Sequence, residues 1–201
     1  MTPQESRHEA ESMNSSNALE CITLGILAGG RATRLEGRDK AWTVYRSQAL
    51  IERSLHALGN GFAASLVSAN RDQGRYELLG LRAIADRMPG FPGPLAGIDA
   101  LLAACETPFL LTVPVDLRDI PHDLVQRLCA AGEGGAVVQD ANGLQPLVAL
   151  WPVARARDAV AQAFVRGESA VYKVTSALTL PVVRFDGADF GNLNTPEDFR
   201  E

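Results

Sequence analysis

Short apolar runs and longer apolar periods alternate along the chain from residue 22 onwards. Ile22–Leu27 is a short apolar run that breaks at Ala28-Gly29-Gly30, which predicts a strand entering a glycine turn. Gln48–Leu58 carries Leu50, Ile51, Leu55 and Leu58 at helical spacing, and Ala64–Ala69 and Leu81–Ala85 read as short strands. Pro94–Cys105 reads as a helix, since Leu95, Ile98, Leu101 and Leu102 share one face and Pro94 suits a first turn. Phe109–Val115 is almost wholly apolar, the pattern of a parallel strand buried on both faces, and it stops at Asp116. Further on, Pro121–Cys129 and Val153–Val165 read as helices, and Ala136–Gln139, Pro146–Trp151 and Leu180–Phe185 as strands.

Strands alternating with helices of this length predict βαβ units, hence an α/β fold: a mostly parallel, doubly wound sheet with helices on both faces. No repeat, low-complexity tract or Pro/Ser linker divides residues 21–201, which are expected to form one domain. Residues 1–20 are polar and lack the apolar core of a secretory signal, so they read as a disordered leader. In a doubly wound sheet, ligands collect outside the carboxyl ends of the strands. Three loops are therefore candidate sites: after Leu27, after Ile84 (holding Asp86), and after Val115 (holding Asp116).

Composition narrows the function classes. A 46% hydrophobic and 21% charged chain suits a globular domain. A net charge of -5 speaks against a long nucleic-acid groove, which needs a basic surface, and no stretch has the apolar length of a membrane span. Cys21, Cys105 and Cys129 stand alone and share no metal-ligand spacing with His8, His56 or His122, so they read as small packing residues. An odd cysteine count of this kind suits a reducing compartment, and the expected location is the cytoplasm.

The segment Leu27-Ala28-Gly29-Gly30-Arg31-Ala32-Thr33-Arg34-Leu35-Glu36-Gly37-Arg38-Asp39-Lys40 carries the densest chemistry. Paired glycines after a strand let the backbone approach a ligand closely and aim successive N–H groups at phosphate oxygens. Arg31, Arg34, Arg38 and Lys40 concentrate positive charge in an acidic chain, which suits a triphosphate and a departing pyrophosphate. The segment is neither a Walker A loop nor a G-x-G-x-x-G turn. Asp116, ending a central buried strand, offers a hard oxygen ligand for Mg²⁺, and Asp86 has the same placement on a weaker strand.

Leu27–Lys40 resembles the L-A-G-G-x-(A/S)-x-R-M-G-G-x-D-K signature of the molybdenum cofactor guanylyltransferases, the MobA family of nucleotidyltransferases. The likeness continues in order through Ala69-Asn70-Arg71 (N-A-N-R), Pro92–Gly97 (G-P-L-A-G) and Val113–Asp116 (P-x-D). It goes on through Gln145–Leu150 ((H/Q)-P-(T/L)-x-A-L) and Asn192–Glu197 (N-x-N-T-P-E). The resemblance implies a Rossmann-like fold of the nucleotide-diphospho-sugar transferase type and a GTP site. In that site Leu27, Ala28 and Gly29 meet guanine and ribose through the backbone, Lys40 binds phosphate, Asp86 contacts the nucleoside, and Asp116 binds nucleotide and Mg²⁺. Lys40 and Asp116 would be the catalytic residues, and Asn194 stands where related transferases place a second metal-facing group. The implied reaction transfers GMP from GTP to the molybdenum-pterin cofactor, in a monomer that meets delivery proteins transiently and neither nucleic acid nor membrane.

Three departures stand out. Glu36 replaces the first glycine of the Gly-Gly before x-Asp-Lys, Ser68 replaces the first Asn of N-A-N, and Arg46-Ser47-Gln48-Ala49-Leu50 replaces G-K-P-L. Two alternatives stay open: a transferase for another base or acceptor, such as a cytidylyltransferase for the same pterin, and a non-catalytic nucleotide-binding module. Relatives of the first kind more often read L-A-A-G where this chain has Ala28-Gly29-Gly30. Retention of Arg34, Lys40 and Asp116 argues against the second.

Overall fold

The computed structural model describes residues 19–29, 40–87 and 93–199. The loop expected to cradle phosphates, from Gly30 to Asp39, and the first eighteen residues of the leader lie outside the described residues. Among the described residues, nine strands form a seven-stranded sheet and a small hairpin. In chain order they are β1 (Ile22–Leu27), β2 (Val44–Tyr45), β3 (Gln48–Ala49), β4 (Ala64–Ser68) and β5 (Arg82–Ile84). Then come β6 (Phe109–Pro114), β7 (Ala136–Asp140), β8 (Gly143–Pro152) and β9 (Val182–Arg184). The helices are α1 (Leu50–Leu58), α2 (Gln73–Glu77), α3 (Pro94–Ala104), α4 (Leu124–Ala130), α5 (Val153–Val165) and α6 (Val171–Ala177).

The large sheet runs β5-β4-β1-β6-β8-β7-β9. Pairings β1/β4, β1/β6, β4/β5 and β7/β9 are parallel, and only β8 runs against its two neighbours. The sheet is therefore mostly parallel, as the alternation of patterns predicts. Every residue of β1 is buried, because two parallel neighbours and helices on both faces leave it no solvent side. Its residues alternate between two cores. Ile22, Leu24 and Ile26 pack with Leu111 and Val113 of β6 under α1 and α4, which supply Leu50, Ile51, Leu124 and Leu128. Leu27 and Leu110 point the other way, into a core closed by α3, α5 and α6 through Ile98, Leu101, Val160 and Val174. Each such aliphatic side chain contributes roughly 1.5–3 kcal/mol on burial.

Helix α3 is apolar nearly all round, and it is wedged between the sheet and α5. Its last carbonyls are capped by a side chain from α5: the Arg157 guanidinium donates to Leu102 O at 2.8 Å and to Cys105 O at 2.7 Å. Elsewhere the sequence patterns shift at their edges. The helix expected from Pro121 begins at Leu124, after a turn in which Leu124 N–H bonds Pro121 O. Residues 48–49 pair as a strand with Val44–Tyr45, so the expected helix from Gln48 begins at Leu50. Strand β8 is longer than its apolar centre, and its pairing with β7 slips between Val137 and Val138. Pro146 falls in that slip, where a missing N–H costs no ladder bond. The four short elements β2, β3, α2 and α6 carry too little periodicity to be seen in advance.

Candidate active site

The switch point of the sheet lies between β1 and β6, from which successive crossovers run in opposite directions. The parallel register places Ile84, Ser68, Leu27 and Pro114 side by side at the strand ends. Two residues beyond each stand Asp86, Asn70, Gly29 and Asp116, a row of site candidates along the carboxyl edge. It spans roughly 14 Å over three interstrand gaps. Backbone bonds hold the row: Ala28 N–H to Ser68 O at 3.2 Å, Ala69 N–H to Ile84 O at 3.0 Å, and Val115 N–H to Leu27 O at 3.1 Å.

At the β5/β4 end, Asp86 and Asn70 bond each other twice. The Asn70 amide donates to the Asp86 carboxylate at 2.9 Å, and the Asp86 backbone N–H donates to Asn70 Oδ1 at 2.9 Å. Behind them Ser68 is buried, its hydroxyl set against two glycines. A Cβ on Gly97 would lie 2.5 Å from Ser68 Oγ, and one on Gly29 would lie 3.3 Å from it. These glycines let α3 and the β1 turn close on Ser68.

At the β1/β6 end, three expected residues meet. Lys40 Nζ donates to Asp116 Oδ2 at 2.5 Å and to Asn194 Oδ1 at 2.9 Å. Lys40 opens a 3-10 turn over Lys40–Trp42 that is anchored in the core: Ala41 is buried, and the Trp42 ring packs against Tyr76 and under the Arg75 guanidinium. Asn194 arrives from the far end of the chain because residues 189–193 run back along residues 116–119. Asp119 N–H bonds Asp189 O, Arg118 N–H bonds Gly191 O, and Leu193 N–H bonds Asp116 O, with Leu117 bridged to Asn192.

Sequence reasoning missed the residues that hold this corner. Arg53 of α1 donates to Leu117 O at 2.7 Å and to Arg118 O, and its guanidinium lies over the Tyr45 ring. Arg118 donates to Asp198 at 2.6 Å and pairs with Asp189 at 3.3 Å. Asp198 accepts the backbone N–H groups of Asn194 and Thr195 and the Thr195 hydroxyl. Those bonds, from the Thr195 N–H and then the Asn194 N–H, followed by the Arg118 guanidinium, hold its carboxyl well below the usual carboxylate range. Thr195-Pro196-Glu197-Asp198 did carry a signal: a Thr cap, a proline in the first turn and an acid three residues on, the pattern of a capping box.

Two oxygens of different residues, Asp116 Oδ2 and Asn194 Oδ1, converge on one positive charge, the Lys40 ammonium. That donor set fits a hard cation such as Mg²⁺, which takes one or two protein oxygens and completes its shell with phosphate and water. Among the described residues, no three His, Cys, Asp or Glu side chains gather as an all-protein metal cage. The described residues also contain no helix long and apolar enough to cross a membrane.

A doubly wound sheet with this polar row at its switch point defines an α/β protein with its ligand crevice at the carboxyl edge of the strands. The MobA-like NTP transferase domain matches residues 24–182, and the chain belongs to that family. Among curated proteins it is 35% identical over 190 residues to the molybdenum cofactor guanylyltransferase of Polynucleobacter asymbioticus, covering 90% of this chain and 95% of that protein. The enzyme of the same name from Ralstonia nicotianae is 36% identical over 193 residues, covering 90% and 95%. That of Cereibacter sphaeroides is 39% identical over 178 residues, covering 86% and 91%. Two solved structures share the fold. The molybdopterin-guanine dinucleotide biosynthesis protein A of Archaeoglobus fulgidus superposes with a TM-score of 0.66 at 21% identity, over 88% of this chain and 94% of that one. The 2-C-methyl-D-erythritol 4-phosphate cytidylyltransferase of Thermus thermophilus gives 0.65 at 22%, over 89% and 95%.

Proposed function

We infer that this chain is a molybdenum cofactor guanylyltransferase, which transfers GMP from GTP to the molybdenum-pterin cofactor and releases pyrophosphate. The observation that carries the reading is the meeting of Lys40, Asp116 and Asn194 beside the Leu27–Gly29 turn. A terminal phosphate oxygen of the pterin forms a bond to the α-phosphorus of GTP while the bond to the β-phosphate oxygen breaks. Little covalent work falls to the protein, which supplies alignment and electrostatic stabilisation. Asp116, with Asn194 beside it, would hold Mg²⁺, which neutralises phosphate charge when bound. Lys40 turns from its carboxylate partner to a phosphate and steadies the leaving group. Leu27, Ala28 and Gly29 meet guanine and ribose through the backbone, and Asp86, oriented by Asn70, meets the nucleoside.

The three cysteines are unpaired, which suits a reducing compartment, and the cytoplasm is the proposed place of work. Exposed large apolar side chains among the described residues are scattered over separate elements, in keeping with a monomer that meets delivery proteins transiently. Thermal shifts with GTP, CTP, ATP and UTP, each with and without Mg²⁺, test the reading, because a ligand of the folded state raises stability with the logarithm of its affinity. GTP with Mg²⁺ is expected to give the largest shift. An equal or larger shift with CTP moves the assignment to a cytidylyltransferase.

A further inference from the structure

We propose that Asp198 is a positioning residue for the catalytic corner: with Arg118 it latches Asn194 onto the Lys40–Asp116 pair. The inference rests on the proposed function for what that corner does, and on geometry for the latch itself. The backbone pairing that returns the end of the chain to the site stops at Leu193, whose N–H bonds Asp116 O. Asn194 is one residue past that last bond. Its own backbone N–H goes to Asp198 Oδ2 at 2.9 Å, and the next N–H, of Thr195, goes to the same oxygen at 2.8 Å. The other oxygen of Asp198 accepts from Arg118 Nη2 at 2.6 Å. Arg118 is itself held two residues past Asp116 by its N–H to Gly191 O, by Arg53 on its carbonyl, and by Asp189 on Nε. One carboxylate therefore joins the segment bearing Asp116 to the segment bearing Asn194. It touches neither Lys40 nor the carboxylate that would hold a metal, so it acts through Asn194.

Charge explains why an acid stands there. Two backbone N–H groups, the Thr195 hydroxyl and a guanidinium face it at once, and a carboxylate satisfies all four where a neutral amide would satisfy them less well.

The test is a double-mutant cycle between Asp198→Ala and Asn194→Ala, read as the Mg²⁺ concentration giving half-maximal activity at saturating GTP, together with hydrogen exchange at the Asn194 amide. Groups that orient a metal ligand typically cost 10- to 100-fold in metal affinity or activity when lost, so Asp198→Ala is expected to raise the Mg²⁺ requirement about tenfold. In the Asn194→Ala background the same change should have almost no further effect. Asp198→Asn, which keeps the shape, should recover part of the loss, and it carries the cycle if the alanine variant fails to fold. Faster exchange at the Asn194 amide in either Asp198 variant supports the latch without any nucleotide present. Fully additive effects, or an unchanged Mg²⁺ requirement, overturn it. Failure of the unaltered protein to bind GTP with Mg²⁺ overturns the proposed function instead, and leaves the exchange result to decide the latch.

Discussion

Lys40 and Asp116 are 76 positions apart in sequence, yet the Lys40 ammonium lies 2.5 Å from Asp116 Oδ2. Their side chains are only 22% and 15% exposed. Each is the natural partner of one half of a metal–nucleotide complex, the cation of phosphate and the anion of metal. Here they pair with each other, and their attraction offsets part of the desolvation cost of holding both charges in a partly buried site.

This pairing makes Asp116 the sharpest test of catalysis. Asp116→Asn keeps shape and hydrogen-bonding capacity but loses the charge. Guanylyl transfer is expected to fall on the order of a hundredfold or more, by analogy with other lost electrostatic stabilisers, a far larger effect than the loss of Tm from leaving Lys40 without its charged partner. A turn or cap role would tolerate Asn, since Asn caps about as well as Asp. Activity within a few-fold of wild type would remove the metal-ligand role.

The contact between Gly97 and Ser68 predicts an inverted helix propensity. Alanine in a helix interior normally gains about 1 kcal/mol over glycine. Here its Cβ would sit 2.5 Å from Ser68 Oγ, so Gly97→Ala is expected to destabilise by about 1–3 kcal/mol, as overpacking does. Adding Ser68→Ala should recover most of that loss in denaturant midpoints. No recovery in the double variant would show that the Ser68 hydroxyl is not the obstacle.

The β2/β3 hairpin turns through Arg46 and Ser47, both with positive φ, at 49° and 67°. A two-residue hairpin of this kind prefers glycine in its second position. Ser47→Gly is expected to stabilise the protein by about 0.5–1 kcal/mol, because the roughly 1–2 kcal/mol that a left-handed conformation costs a side chain exceeds the roughly 0.5–1 kcal/mol of extra chain entropy that glycine loses on folding. An unchanged or lower unfolding midpoint would refute the strain.

Asp198 links stability to acid pH. Its carboxyl is held below the ordinary range, chiefly by the Thr195 and Asn194 N–H groups and then by Arg118. Its contribution is therefore fully present above the unfolded value of about 3.9 and fades as pH falls below it. Asp198→Asn should be less stable than wild type at pH 7, and the two unfolding midpoints should converge as pH drops from about 4 towards 2. A gap that stays constant over that interval would mean that the charge of Asp198 contributes nothing.

By itself, the sequence determined which segments are buried and what chemistry they end in. The apolar runs of β1 and β6 and the helical period of α3 are local patterns, set by which faces must leave water. The strand-end positions of Asp86 and Asp116 followed from the same patterns, because a polar residue closing a buried strand must lie at the sheet edge. Tertiary structure decided which of these ends meet. That Asn194 lies on Lys40, that Arg53 and Arg118 hold the corner, and that Ser68 fills the gap left by Gly97 depend on pairings between residues far apart in the chain. Such pairings have no period. A lone arginine reads alike whether it is solvated or reaching a carbonyl 64 positions away, as Arg53 reaches Leu117, and only the packed chain fixes which.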